Sequence, residues 1–358
     1  MRSVATVFDK IFKNGFRSSL SKHLNSPTLE DCTGLFPFVE GLEEPKFDLI
    51  DIDSVIDSGI QVEYPFPQLF RLSSIDLLFT SHAVYQINSD MSFTRLSIDG
   101  IIPGGRWQVA DLMKGWIATN GSCLVMDLAG DGNYRVVDRQ VASLTEHDGR
   151  LIFGGFDYLF SSRWLEWMNS YSGDSADKEM QDFVYWTSVG MLDIDWFFGA
   201  TFPSDDEIRD VLEQGTMGFA PTTGHVNRIV PYSNGLLIAT DKSLTYMESI
   251  VDPTPSYSIR RLVSSGIQAV GGTQYNIMAI DTFGVLWSIS NNGIKRLGFS
   301  EFLGDVNLIE YDESIGVFYL CDGTYTYVVH GDKMCRIREL VTSVFGDKTF
   351  AIYTSVKQ

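Results

Sequence analysis

The sequence predicts an all-β fold, a β-propeller of six or seven blades with an N-terminal amphipathic helix and a Trp-rich insertion, on the strength of three observations. Short apolar runs alternate with turn residues along the chain, which carries 32 Gly in 358 residues. Those runs come in threes, and each three reads strand, turn, strand, turn, strand. The threes recur: copies start at positions 74, 114, 234, 275 and 314, so the start-to-start interval holds at the period of a propeller blade wherever copies are consecutive. A blade is a four-stranded sheet of roughly 40 to 50 residues that cannot bury both faces alone, so blades stack radially. An up-and-down sandwich is the structural alternative, and the sustained period favours the propeller.

Tyr275 to Phe299 displays one copy. Ile277 to Ile280, Val285 to Ile289 and Ile294 to Leu297 are its three runs, with Asp281 to Gly284 and Asn291-Asn292-Gly293 as turns. Asn-Gly between apolar runs is a strong hairpin signal, because both residues tolerate the positive φ of a type I′ turn. The fourth strand of each blade is expected between copies, at Trp107 to Leu112 or Val306 to Tyr311, for example.

Taken in order, residues 1–60 form an N-terminal helix and an extended connection, and residues 61–358 the propeller. Within residues 1–24, Arg2, Lys10, Lys13, Arg17 and Lys22 face only Asp9, so this segment is basic in an acidic chain. Val4, Phe8, Phe12, Phe16, Leu20 and Leu24 recur every four residues and place an apolar stripe along one helix face. Docking of that stripe on protein is the favoured reading; a membrane-surface helix and an organelle presequence are the alternatives. Residues 25–60 hold Pro27, Pro37 and Pro45 and an acidic run, Asp51, Asp53 and Asp57, whose spacing departs from a calcium loop at Val55. They read as a solvated connection with one strand.

The period breaks after Asp148-Gly149 and Leu151 to Phe153. Residues 156–224 are an irregular insertion that holds Trp164, Trp167, Trp186 and Trp196, four of the seven tryptophans. The stretch from Gly149 to Asn234 is long enough for two degenerate blades or for one blade with a large insertion. At the C-terminus, Thr349 to Val356 is expected to close the ring against an N-terminal strand and so remove two sheet edges.

Composition bounds the function. Hydrophobic residues make up 44% of the chain, aromatics 13% and charged residues 20%, which describes a protein with a substantial core. The net charge of −19, from 46 acidic and 27 basic residues, argues against phosphate-backbone binding, which needs clustered Lys and Arg. It aids solubility, and it also suits a conduit through which DNA passes without being held. Cys32, Cys123, Cys321 and Cys335 form no C-x-x-C pair and read as buried free thiols; neighbouring strands would let Cys321 and Cys335 face each other, but spacing alone does not establish a disulfide. No apolar run reaches the ~20 residues of a membrane-spanning helix.

No catalytic, cofactor-binding or metal-binding set emerges. The histidines, His23, His82, His147, His225 and His330, do not pair at ligand spacing, and G-x-S-x-G and Walker patterns are missing. Ala279 to Trp287 resembles both the tryptophan-docking motif of quinoprotein dehydrogenases and the Asp-box of sialidases. It fits neither fully and does not repeat, so Asp281 and Trp287 read as a blade turn and a core aromatic. Glu166 between Trp164 and Trp167 allows a sugar site, but aromatics there favour packing on the ring or a contact with a neighbour. Gly154-Gly155 reads as a bulge or close strand packing.

One resemblance covers residues 30 to 340. Cys32 to Glu40 (CTGLFPFVE), Tyr64 to Phe70 (YPFPQLF), the strand pair around Leu77 to Ile87, the Asn120-Gly121 turn, Val184 to Phe197 (VYWTSVGMLDIDWF) and GVLWSISNNGIKRLGF resemble, in this order, tailed-phage virion structural proteins of propeller type from the neck, nozzle and tail. The resemblance implies a non-enzymatic component of a virion, made in the host cytoplasm and assembled as a homo-oligomeric ring at the head-to-tail connection or in the tail. It implies other virion proteins as partners. Trp164, Trp167, Trp186 and Trp196 would face neighbouring subunits, and the helix carrying Phe8, Phe12, Phe16 and Leu20 would dock on an adjacent ring. A propeller enzyme or binding module acting on a carbohydrate or small molecule, and a cellular interaction scaffold, are the competing classes.

Overall fold

The computed structural model describes residues 36–37, 42–43, 58–157, 166, 168–170, 178–190, 197–198, 204, 206–207, 209–210, 217–250, 256–346 and 348–353. The expected N-terminal helix lies outside them. A short pair, β1 (Phe36–Pro37) and β2 (Leu42–Glu43), precedes six four-stranded sheets, the blades of a β-propeller. Blade one holds β3 (Gln68–Arg71), β4 (Asp76–Phe79), β5 (Val84–Ile87) and β6 (Phe93–Arg95). Blade two holds β7 (Gln108–Asp111), β8 (Trp116–Thr119), β9 (Leu124–Asp127) and β10 (Arg135–Val137). Blade three holds β11 (Val141–His147), β12 (Arg150–Phe156), β13 (Phe183–Trp186) and β14 (Gly218–Pro221), with the 3-10 turn Met180–Asp182 before β13.

Blade four holds β15 (Val226–Tyr232), β16 (Gly235–Thr240), β17 (Leu244–Ile250) and β18 (Ser256–Val263). Blade five holds β19 (Ile267–Gly272), β20 (Asn276–Asp281), β21 (Leu286–Ser290) and β22 (Gly293–Gly298). Blade six holds β23 (Leu308–Asp312), β24 (Val317–Cys321), β25 (Thr326–His330) and β26 (Lys333–Ile337), followed by a hairpin of β27 (Glu339–Phe345) and β28 (Lys348–Tyr353). The three strands of each repeating copy are therefore the second, third and fourth of a blade. The first comes from the intervening segment, as expected at Trp107 to Leu112 and Val306 to Tyr311.

Burial follows position within the blade. The middle strands β8, β9, β16 and β24 are buried at every residue, whereas the outer β6 and β10 have no buried residue. A strand covered on both faces reads as a continuous apolar run, which is why the middle strands stood out in the sequence.

The chain divides into two compact units, Phe70–Ile267 and Gln268–Gln358 together with Met1–Leu69. In the first, Phe153 stacks on Tyr185 with ring centroids 5.3 Å apart and meets Phe197 edge-on at 4.9 Å, at the centre of an aromatic core. Burial raises the Tyr185 phenol well above its ordinary pKa, and the hydroxyl donates to Met180 O at 2.9 Å. Trp107 is fully buried and donates from Nε1 to Thr80 O at 2.8 Å, joining blade two to the turn of blade one.

First strands of successive blades are tied by side chains. Ser143 Oγ donates to Gln108 Oε1 at 2.6 Å, Gln108 Nε2 donates to Ile229 O at 2.7 Å, and Ile229 N donates to Ser143 Oγ at 2.6 Å. Gln108, Ser143 and Ile229 lie on β7, β11 and β15, so three blades share one closed network whose polar atoms are satisfied. Asn227 Nδ2 donates to Ile267 O at 3.4 Å, and in the other unit Gln268 Nε2 donates to Val306 O at 2.8 Å. In both pairs the amide donates to the residue just before the next blade's Gln268 or Asn307.

Leu69 N donates to Ser343 Oγ at 3.1 Å, as Ile229 N does to Ser143 Oγ. β27 thus stands where a further blade would begin, and the hairpin has two strands. This corrects the expected closure: among the described residues β28 pairs with β27, through a turn at Gly346, rather than with an N-terminal strand. The local hairpin wins because its turn brings the two strands together with little loop-closure entropy.

One turn differs from expectation, and another takes the geometry that it lacks. Ser290 pairs with Gly293, and neither Asn291 nor Asn292 has positive φ; Gly293, at φ 107°, begins β22 instead. Asp148-Gly149, with φ 53° and 72° between paired His147 and Arg150, has the positive φ at both central positions of a type I′ turn. Cys123, Cys321 and Cys335 are buried and in no disulfide; Cys321 pairs with Thr326 and Cys335 with Val328, and β25 stands between their strands, so the two do not lie on neighbouring strands as expected. Burial raises the thiol pKa of Cys123 and Cys321.

In blade six, burial, reinforced by the negative charge of Asp322, pushes Tyr327 from its ordinary 10.0 to about 12. A phenol that stays protonated longer in the folded state supports folding fully below the unfolded pKa and loses that support as pH rises towards 12. Stability is therefore expected to fall between about pH 10 and 12, and Tyr327→Phe should flatten that fall in denaturant titrations across this range.

Candidate functional site

A groove in the unit Phe70–Ile267 runs across the turns between first and second strands of blades one to three. Its volume is about 620 Å³, and Ser73, Asp111, Met113, Lys114, Glu146 and Gly190 are among its lining residues. Each turn is built for rigidity. Leu112 N donates to Gly115 O at 2.8 Å, closing a four-residue turn with Met113 and Lys114 at its tip. That tip is clamped to the loop after β9 by two close backbone approaches. A Cβ on Gly115 would sit 1.7 Å from Asp127 O, and one on Gly130 1.9 Å from Lys114 O, so neither position accepts a side chain.

Asp127, 5% exposed, holds the same loop from within. Its carboxylate accepts from Gly130 N at 2.8 Å, Asp131 N at 3.2 Å and Gly132 N at 3.1 Å. The clamped tip leaves Met113 92% exposed. Across the groove, Gly190 N donates to Gly149 O at 2.9 Å and Glu146 Oε1 accepts from Gly149 N at 2.8 Å, and Val189 stands out 60% exposed. Between these tips, Asp111 Oδ2 accepts from Ser73 N at 2.7 Å and Ser73 Oγ at 2.5 Å, which joins blade one to blade two.

Exposed large apolar side chains on hydrogen-bonded turns are expensive to leave in water and lose little entropy on contact, the combination found at protein interfaces. In blade five the corresponding turn, closed by Thr273 N donating to Asn276 O at 2.8 Å, presents Tyr275 53% exposed. The groove's charged side chains, Asp111, Glu146 and Lys114, lie among these apolar tips as polar groups do at an interface rim.

Most of the contact residues named from the sequence, Phe8, Phe12, Phe16, Leu20, Trp164, Trp167 and Trp196, lie outside the described residues. Trp186 is placed, and not at a surface: it is 6% exposed in β13 and packs with Ile152, Val184 and Ile238. The physical reason is its cross-strand partner. Trp186 pairs with Gly218, where a Cβ would sit 2.3 Å from the indole, so the ring lies over the bare glycine backbone. The strand run Phe183–Trp186, buried throughout, was the signal that this Trp belonged to the core.

Asp281 and Trp287 behave as a blade turn and its aromatic. Asp281 is 3% exposed; Oδ1 accepts from Phe283 N and Val285 N, each at 3.0 Å, and Oδ2 accepts from Trp287 Nε1 at 3.1 Å. Gly154-Gly155 is a site of close packing: a Cβ on Gly154 would meet Val226 of the next blade at 2.8 Å. Among the described residues no three His, Cys, Asp or Glu side chains gather as metal ligands, and no helix is long and apolar enough to cross a membrane.

The sheets define the class, a β-propeller. No family model matches the chain, and no curated protein matches it. Among solved structures it is similar to a virginiamycin B lyase from Staphylococcus aureus at 10% identity, covering 75% of this chain and 83% of that one with a TM-score of 0.47. The Neurospora crassa Pan2 WD40 domain is similar at 10% identity, 78% and 84% coverage and a TM-score of 0.43. PorZ, a surface component of the type-IX secretion system of Porphyromonas gingivalis, is similar at 10% identity, 82% and 38% coverage and a TM-score of 0.45.

Proposed function

We propose that the chain is a non-enzymatic structural protein of a tailed-phage virion, part of the neck or tail, that docks neighbouring proteins through the turns at the first-to-second-strand side of its blades. The observation that carries the docking reading is the pair of exposed apolar tips at the groove, Met113 in a turn closed by its own backbone hydrogen bond and Val189 beside Gly190, whose amide donates to Gly149 O of the neighbouring turn. The virion assignment rests on the resemblance of residues 30 to 340 to phage propeller proteins, and the acidic balance of −19 is compatible with a wall past which DNA moves.

The buried carboxylates at the turns support a structural role. Asp127 and Asp281 are occupied by backbone amides and, for Asp281, an indole N–H, so they serve to fix loops. Mass spectrometry of purified particles tests the assignment. The chain should be present in stoichiometric amount among the virion proteins; its absence removes the virion reading and leaves the cellular scaffold or small-molecule binding module.

A further inference from the structure

The fourth strands of blades three and four differ in length: β14 has four residues and β18 eight. Towards the first strands, the two blades close into a buried cluster that includes Ile152, Val184, Val226 and Ile238. Towards the outer strands a cavity of about 250 Å³ remains open between them. Its walls pass from apolar to cationic along one cross-strand row. Ile238 pairs with Thr245, and Thr245 pairs with Arg261.

Val184, Ala220 and Ile238, all buried, form the apolar end, while Ile259 stands 45% exposed among the lining residues. Arg261 Nη2 donates to Thr223 Oγ1 at 2.7 Å, and among the described residues the guanidinium has no carboxylate partner. No lining residue is acidic, although the chain as a whole carries 46 acids against 27 bases. An oriented guanidinium at the edge of a small apolar cavity, with hydroxyls beside it, is complementary to one kind of ligand.

We propose that this cleft binds a carboxylate carried on a branched aliphatic body, with the body against Val184, Ala220 and Ile238 and the carboxylate on Arg261. The site is independent of the docking turns, since it lies between other strands and uses none of their residues.

The test is titration of the full chain with 4-methylpentanoate by calorimetry, with 4-methylpentanamide as the uncharged comparison. Saturable one-to-one binding of the acid is expected, with the amide at least about tenfold weaker because the charge-assisted bond is lost. Arg261→Gln, at an exposed residue, should lose the same factor while its circular dichroism stays unchanged, and Ile259→Ser should weaken acid and amide alike. Acetyl-Gly-Leu, with a free carboxylate, identifies the source: tighter binding than the free acid points to a peptide chain end, weaker binding to a small acid, and either supports the site. No saturable binding, equal binding of acid and amide, or an unchanged Arg261→Gln variant would overturn it.

Discussion

Gly115→Ala is expected to destabilise the protein by about 3–5 kcal/mol, in the range that overpacking against rigid groups reaches. The added Cβ would lie 1.7 Å from Asp127 O, a backbone atom. Neither partner can yield cheaply. Asp127 ends β9 and its carboxylate binds three amides of the following loop, while Gly115 closes the turn that carries Met113. Gly105→Ala is the control: there the nearest atom is 3.7 Å away, and the change should stay within about 0.5 kcal/mol. Urea denaturation of both variants measures the difference, and equal midpoints would show that the clamp is softer than its geometry.

Asp281→Ala carries the second large effect, about 2–4 kcal/mol, because it strands three buried or half-buried donors at once: the amides of Phe283 and Val285 and the indole of Trp287. Asp281→Asn separates the contributions. Its carbonyl can still accept both amides, but its NH2 faces the Trp287 N–H, donor against donor. A loss of about 1–2 kcal/mol is expected for this variant. Denaturation followed by Trp fluorescence reads both, and indistinguishable Ala and Asn variants would place the whole effect on the indole contact.

The propeller was legible in the sequence because its middle strands are covered on both faces and its turns are short. A sharper periodic signal was present and missed. Thr80, Asn120, Thr240, Asp281 and Asp322 each end or directly follow a second strand and accept amides from the turn that comes next. From Thr80 to Asn120, and from Thr240 through Asp281 to Asp322, they keep the same blade-length interval as the repeating copies. The residue type varies among Thr, Asn and Asp, since any short side chain with an acceptor oxygen can hold the turn, so no fixed motif marks the position.

Blade three was harder, because its last two strands are separated from the first two by long segments: β12 ends at Phe156, β13 begins at Phe183 and β14 at Gly218. Trp186 was misread for the same reason. With its strand hidden inside an irregular stretch, the indole looked like a surface aromatic, and the glycine it covers, Gly218, belongs to a strand far along the chain. The turns proposed to dock were not legible at all. Met113 and Val189 are ordinary apolar residues in sequence, and their exposure follows from close approaches at Gly115 and Gly130 and from the Gly190–Gly149 hydrogen bond.

The central claim, that the chain acts by docking through those turns, is tested most directly by competition for incorporation into particles between the native chain and a Met113→Glu, Val189→Glu double variant. Both positions are exposed, so the variant should match the native stability in urea within about 0.5 kcal/mol. The docking account predicts that the variant is depleted at least tenfold from purified particles relative to its share in the producing cells, which corresponds to about 1.4 kcal/mol of lost contact energy. Equal incorporation of a stably folded variant would contradict it.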